Sequence, residues 1–377
     1  MKRYRIKNWP KYNKSLIQRG SINFWLSEDA IRKWGNTKHT GEKGRPEEYS
    51  DDAILCALLI RTVYHLTLRS TEGLLLSLVS LLGLTLKIPS YTQICRRAKD
   101  LGKTLRRLSS RRPYDIVFDS TGLKVYGEGE WKVKQHGASK RRIWRKLHLG
   151  MDPDSKEIII SEMTTNSTGS GDGQIGKKLL KRAPKSVKRV FGDGAYDGTE
   201  FRREIEKNGA EPIIPPPRDA VVHPDTTDGA MQKRNDAVKE IQGLGGDDQA
   251  RRMWKILKGY HRRSLAETAM YRIKQLTGGN MRSREWERQQ IEVFIKCLVI
   301  NKMTTLGMPD SIWKAAAWEN GEDGITGYTL HECPSGHLCN KATLHVKKFD
   351  HLKSHSGINL HVPACRYPGY RGNPDKN

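Results

Sequence analysis

The feature that most constrains this chain is a change of hydrophobic period near residue 114. YDIVFDST (114–121) has the β-branched and aromatic density of a strand, and RIWRKLHLGMD (142–152) and KEIIISEMTTN (156–166) read as two more, joined through Pro153-Asp154-Ser155. The pattern then alternates: a helix near 172–182, a strand SVKRVFGD (186–193), a short helix TEFRREIEKNG (199–209) and a fifth short strand in EPIIPPP. Three strands in hairpins followed by helix–strand alternation predict a mixed α/β sheet.

Helices are expected on both sides of that block. Residues 1–50 are basic and aromatic, and Leu/Ile-rich helical patterns follow at about 50–64 and 70–82. Ser90 and Gln93 form a capping box that opens a helix carrying Arg96, Arg97, Lys99, Arg106 and Arg107. Two readings stand for this part: a helix-turn-helix laid against DNA, or a bundle whose arginines are its solvated face. Residues 218–246 are polar and glycine-rich, an insertion with one helix. A single long basic helix is predicted from 249 to 276, stopped by Gly278-Gly279-Asn280, and a last helix from 284 to 306. The implied organisation is a helical N-terminal region over 1–112, a sheet domain over 113–312 interrupted by an insertion at 218–248, and an extension over 313–377. The uncharged run Leu74–Leu86 is too short to span a bilayer, so buried helices are expected there.

Charge decides the class of partner. The chain of 377 residues carries a formal net charge of +25 with a pI near 9.8. Beyond residue 313, eight Lys/Arg stand against six Asp/Glu, so all but two of those net charges lie in 1–313. A phosphate-rich polymer fits this excess. A membrane surface is the competing partner, but no amphipathic anchor or signal peptide opens the chain. Six scattered cysteines suit reduced thiols and a cytoplasmic protein, which a DNA partner would make nucleoid-associated. The extension holds Cys333, Cys339, Cys365, His331, His337 and His361, yet no Cys-x2-Cys pair and no hydrophobic periodicity. A poorly ordered segment is expected there, rather than a zinc module.

Two aspartates end strands. Asp119 follows the apolar run of the first, and Asp193 ends the fourth in VFGDGAYDG. A turn explains an aspartate between glycines; a metal-binding carboxylate explains it too, if partners exist. Were these strands neighbours, both carboxylates would emerge at one sheet edge, where like charges repel unless a cation such as Mg²⁺ neutralises them. A third carboxylate is available in GYHRRSLAETAMYRIKQL, where Glu267 is the one acid among many bases. At helical spacing Tyr260, Arg263, Glu267, Tyr271 and Lys274 share a face. A plain Arg263–Glu267 pair in that orientation would be worth only about 0.3 kcal/mol. His136 and His148 read as structural or phosphate-facing, Asp197 as a loop or cap residue, and Asp115 as a buried carboxylate in need of a partner.

These blocks resemble the DDE transposases of bacterial and archaeal insertion sequences, most closely the insertion-sequence-five family. VFDSTGLKVYGEGEW is similar to the block of the first aspartate and VFGDGAYDG to that of the second. YHRRSLAETAMYRIK matches the Tyr-x2-Arg-x3-Glu-x6-Lys signature at Tyr260, Arg263, Glu267 and Lys274. KNWPKYNKSLIQRGSINFW and RRIWRKLHLGMD also look like this family, so the resemblance spans about 7–312. It implies an RNase H-like sheet with an α-helical DNA-binding region, and Asp119, Asp193 and Glu267 as metal ligands and catalytic triad. It also implies Mg²⁺ (with Mn²⁺ as a substitute), and cleavage and strand transfer of the element's ends. Arg263 and Lys274 would hold phosphates, Tyr260 a terminal base, and Arg96 and Arg97 duplex DNA. The partners would be the terminal inverted repeats and target DNA, bound by a homodimer. Two other readings remain open: an RNase H-like nuclease without strand transfer, and a non-catalytic sequence-specific DNA-binding repressor. Family members tend to end near a phrase like GMPDS, found here at 307–311, which marks the rest as an extension.

Overall fold

The computed structural model describes residues 4–36, 48–104, 107–126, 143–165 and 171–313. The expected extension, His136, and the cysteine and histidine residues beyond 313 lie outside them. Two compact units are formed. In the smaller, β1 (Tyr4–Ile6) pairs antiparallel with a C-terminal strand, Ser311–Trp313. The larger covers Asn8–Pro309 and holds everything described below.

Its first part is helical: α1 (Trp9–Gln18), α2 (Ile22–Trp25), α3 (Glu28–Arg32), α4 (Asp51–Val63), α5 (Leu68–Leu81) and α6 (Tyr91–Thr104). The helix starts follow capping chemistry. Ser50 Oγ accepts the Ala53 N–H at the head of α4, and Thr67 Oγ1 accepts that of Ser70 in α5. The Ser90–Gln93 box forms reciprocally: Gln93 Oε1 accepts the Ser90 N–H at 2.9 Å, and Ser90 Oγ accepts the Gln93 N–H at 3.4 Å. The link between α5 and α6 runs over 82–90, longer than a helix-turn-helix turn, and α4, α5 and α6 pack mutually as a bundle. Most apolar residues of α4 are buried, with Leu55 and Val63 half-buried and Ile54 and Ile60 fully enclosed. Each such side chain stabilises the fold by about 2 kcal/mol. Among the described residues no single helix is long and apolar enough to cross a membrane; α4 and α5 pass that test only as a pair bent by 109°.

The sheet has five strands: β2 (Asp115–Tyr126), β3 (Ile143–Met151), β4 (Ile158–Thr165), β5 (Arg189–Phe191) and β6 (Glu211–Ile213). Their order is β4-β3-β2-β5-β6. The β2–β3 and β3–β4 pairs are antiparallel; β2–β5 and β5–β6 are parallel. This is the mixed α/β sheet that the hydrophobic pattern predicted. Period-two alternation splits β2 between two cores. Ile116 and Phe118 pack with α7 (Asp172–Arg182) and α8 (Thr199–Lys207) on one face. Val117 and Leu123 pack on the other with the two last helices of the unit.

Those helices differ from the sequence expectation in one respect. The single helix read over 249–276 is three pieces: α10 (Asp248–Leu257), a 3-10 turn (Tyr260–Arg263) and α11 (Ser264–Thr277). Gly259 is the cause, since its φ of +66° is left-handed and ends α10. The insertion contributes one helix, α9 (Gly229–Gly243), which packs on α10 through Ala237, Ile241, Ala250 and Trp254. Finally α12 (Trp286–Leu306) lies in both main cores: Ile291, Ile295, Val299 and Met303 join the N-terminal helices, and Val293, Cys297 and Ile300 join the sheet. Asn301, buried on α12, ties in β4 by accepting the Ile158 N–H and donating to the Ile158 carbonyl.

Candidate active site

The register of the central parallel pair places the two aspartates: Asp193 lies just past the end of β5, whereas Asp119 lies inside β2, which continues to Tyr126 instead of ending after the apolar run. Val117 lies opposite Phe191. Two residues further along come Asp119 and Asp193, so both carboxylates stand at the same level. Asp193 also caps the next turn, its Oδ1 accepting the Ala195 N–H at 3.0 Å. Both readings of this aspartate therefore hold together: it makes the turn, and the turn presents its second oxygen. The flanking glycines differ in reason. A Cβ on Gly192 would press on the Tyr196 Cβ at 3.0 Å and on its ring at 3.2 Å, whereas Gly194 faces open space.

Asp119 is 6 % exposed. Burial pushes its pKa up; the Ser120 N–H and Arg263 oppose that rise, and Asp193 and Glu267 add to it. Glu267 stands across from it in the first turn of α11 and is solvent-exposed. What joins the three carboxylates is Arg263. Its Nη1 donates to Glu267 Oε1 at 2.6 Å, and its Nη2 donates to Asp119 Oδ2 at 3.3 Å and lies 3.9 Å from Asp193 Oδ2. Burial works against the guanidinium's charge, but the surrounding carboxylates outweigh it and its pKa is raised. The Arg263–Glu267 pair dismissed as unrewarding in isolation is formed, and it belongs to a larger cluster.

The break at Gly259 positions that arginine. Arg262 and Arg263 end the 3-10 turn, and the two consecutive side chains reach the two aspartates that share one face of β2. Arg262 Nη1 donates to Asp115 Oδ2 at 2.5 Å, and its Nη2 pairs with Asp154. Arg189, the cross-strand partner of Asp115 on β5, adds a two-pronged pair at 2.6 and 2.7 Å. The partner that Asp115 required is thus a pair of arginines. Sequence reasoning missed both, although Arg189 precedes its strand's apolar run just as Asp115 does.

The other predicted residues are distributed as follows. Tyr260 is half-buried beside the cluster, with Lys255 Nζ 5.3 Å from its ring centre, and burial pushes its hydroxyl pKa up to about 12. Lys274 lies two turns along α11 from Glu267, half-buried and without an ion-pair partner among the described residues. Arg96 is exposed on an open cleft of about 520 Å³ that it shares with Arg69, Arg288 and Tyr91. Arg97 is turned inward, donating to Asp51 at 2.7 Å and to the Tyr49 carbonyl at 2.9 Å. His148 is buried with its Nε2 3.1 Å from Thr164 Oγ1; its register partner is Ser120, so it belongs to the sheet face opposite Asp119. Asp197 pairs with Arg202 and Arg234, a structural role as expected.

As a donor set, two aspartates and a glutamate suit a hard divalent cation. As they stand they close on Arg263, and among the described residues no three acidic, histidine or cysteine side chains converge closely enough to hold an ion.

Comparison with known proteins places the chain in a family. An uncharacterised protein of Aquifex aeolicus (strain VF5) is 24 % identical over 192 residues, which is 46 % of this chain and 57 % of that protein. The chain thus spans little more than half the length of that curated relative. Two solved structures are distant likenesses at 10 % identity. They are a piggyBac transposase synaptic complex with hairpin DNA (76 % of this chain, 75 % of that one, TM-score 0.34) and a Drosophila P element transposase strand transfer complex (79 % and 85 %, TM-score 0.22). A family model described as a transposase DDE domain matches residues 17–128. A second of the same description matches 110–302, just over half of the chain and the whole stretch from Asp119 to Glu267, so the chain belongs to the DDE transposase-domain family.

Proposed function

We propose that this protein is a Mg²⁺-dependent transposase that cuts the ends of its own element and joins them to target DNA. The observation that carries this reading is the meeting of Asp119, Asp193 and Glu267 at one guanidinium, from two neighbouring parallel strands and a facing helix. DDE transposases generally use divalent metal ions, and these three carboxylates would hold them. Bound there, Mg²⁺ or Mn²⁺ would activate the attacking hydroxyl and neutralise the leaving oxygen of a phosphoryl transfer.

The chain's own residues supply the rest. Asp119 is fixed by its buried strand and the Ser120 N–H, so its second oxygen keeps one direction. Lys274 offers an uncommitted ammonium to a phosphate beside the triad. Tyr260 sets a ring against the same edge for a terminal base. Arg96, with Arg69 and Arg288 around it, meets duplex DNA at the helical end, while Arg97 holds α6 to the start of α4. Two copies, one for each element end, make up the working assembly.

The test is Glu267→Gln. End binding by a terminal-repeat duplex is expected to persist within about threefold, while strand cleavage in Mg²⁺ falls by at least about a thousandfold. Cleavage at the wild-type rate would remove Glu267 from the site. In the wild-type reaction, joined end–target products support the transposase; nicks without joining would leave a nuclease, and end binding with no nicking in any metal a repressor.

A further inference from the structure

We propose that Arg263 is a tethered counter-ion of the triad: it competes with divalent metal for the three carboxylates, and a DNA phosphate that draws it off opens the site to metal. The inference rests on the metal-site reading above and adds an order of events to it.

Geometry is the first ground. One guanidinium lies 2.6 Å from Glu267, 3.3 Å from Asp119 and 3.9 Å from Asp193, each time at an oxygen that a metal would need. Magnesium binds carboxylate oxygens at about 2.0–2.1 Å and tolerates little distortion. Such an ion and the guanidinium nitrogens cannot occupy the same point. The failure of the carboxylates to converge on one another then has a cause: they are spread around an arginine fork.

Charge is the second. The three carboxylates carry three negative charges and the arginine offsets one of them, whereas a divalent ion in its place offsets two. An arginine stays protonated at any working pH, so this competitor cannot titrate away; it has to move. The third ground is the anchoring of the turn: Arg262 is held on Asp115 and Asp154, so releasing Arg263 from the carboxylates requires its side chain to move and not the turn that carries it. Phosphate is the natural acceptor for a swinging guanidinium, because it takes the same two-pronged hydrogen bonds as a carboxylate. Linkage makes the effect reciprocal: if DNA raises metal affinity, metal raises DNA affinity by the same factor.

The experiment measures Mn²⁺ binding to the full chain without DNA, by electron paramagnetic resonance of the free ion. Arg263→Gln is expected to bind Mn²⁺ about tenfold more tightly than wild type, the size of effect one neighbouring charge has on a carboxylate. Arg263→Lys, whose ammonium cannot fork across three carboxylates, is expected to gain a few-fold. Arg263→Gln should also melt lower than wild type without Mn²⁺ and recover when it is added. Unchanged or weaker Mn²⁺ binding by folded Arg263→Gln overturns the proposal. If that variant does not fold, unchanged or weaker binding by Arg263→Lys overturns it instead. Failure of the underlying reading looks different: Asp119→Asn and Glu267→Gln would then bind Mn²⁺ as well as wild type does.

Discussion

Burial acts in opposite senses on Asp119 and His148, which stand on paired strands but face opposite sides of the sheet. Removing either from water penalises its charged form, so the carboxyl pKa rises and the imidazole pKa falls, to about 4 for His148. The histidine is therefore neutral in the folded protein at physiological pH, and its Thr164 contact is one between neutral groups. A pKa depressed on folding contributes stability that is fully present above the unfolded value of 6.5 and is lost as pH falls towards 4. Between those limits the loss approaches about 1.4 kcal/mol per pH unit. Urea midpoints measured at pH 7 and pH 5 should drop more for wild type than for His148→Gln; equal drops would mean that the imidazole is already charged in the fold. Side chains of this kind differ in how readable they are. Asp119 and Asp193 could be singled out because each follows an apolar run, a local signal, although β2 continues past Asp119 to Tyr126. Asp115 could not be matched to Arg262, because that contact crosses 147 residues and depends on a turn invisible to helical periodicity.

Elements were readable where hydrophobic period and caps agreed. The Ser90–Gln93 box, the helix over 172–182 and the succession of strands and helices along the chain all follow from such agreement, because each rests on contacts a few residues apart or on a strongly patterned face. The exception is the segment leading to Glu267, where helix-forming residues run on either side of one glycine and composition favours continuity. The backbone at Gly259 is left-handed instead, and the resulting 3-10 turn brings Arg262 and Arg263 onto β2. A side chain there costs about 1 kcal/mol, since Cβ crowds the carbonyl in that region. Gly259→Ala should thus lower unfolding free energy by about 1 kcal/mol in a denaturant titration, with Gly194→Ala, in open space, near neutral. A neutral or stabilising Gly259→Ala would mean that the segment straightens into the single helix its composition suggests.

For the molecule as a whole, the architecture keeps its charge and its chemistry together. The Asn8–Pro309 unit contains the three carboxylates around Arg263, the arginine clusters and the cleft around Arg96, and the sequence up to residue 313 carries all but two of the 25 net positive charges. This balance was fully legible in the sequence, because charge is additive along a chain and needs no fold to be counted. Which of those charges are spent internally was not: Arg97, Arg189, Arg202 and Arg262 all hold acidic side chains of the same chain and are not free to meet phosphate. The slope of log affinity against log salt counts the phosphates actually neutralised, at about 0.9 per contact on duplex DNA. A chain ending after residue 313 is expected to show the same slope on a terminal-repeat duplex as the full chain, measured by fluorescence anisotropy between roughly 50 and 200 mM salt. Arg96→Gln should reduce the slope by about one contact, and Arg97→Gln should lower stability while leaving the slope alone. A shallower slope for the shortened chain would place DNA-binding charge beyond residue 313, and an unchanged slope for Arg96→Gln would take the duplex away from α6.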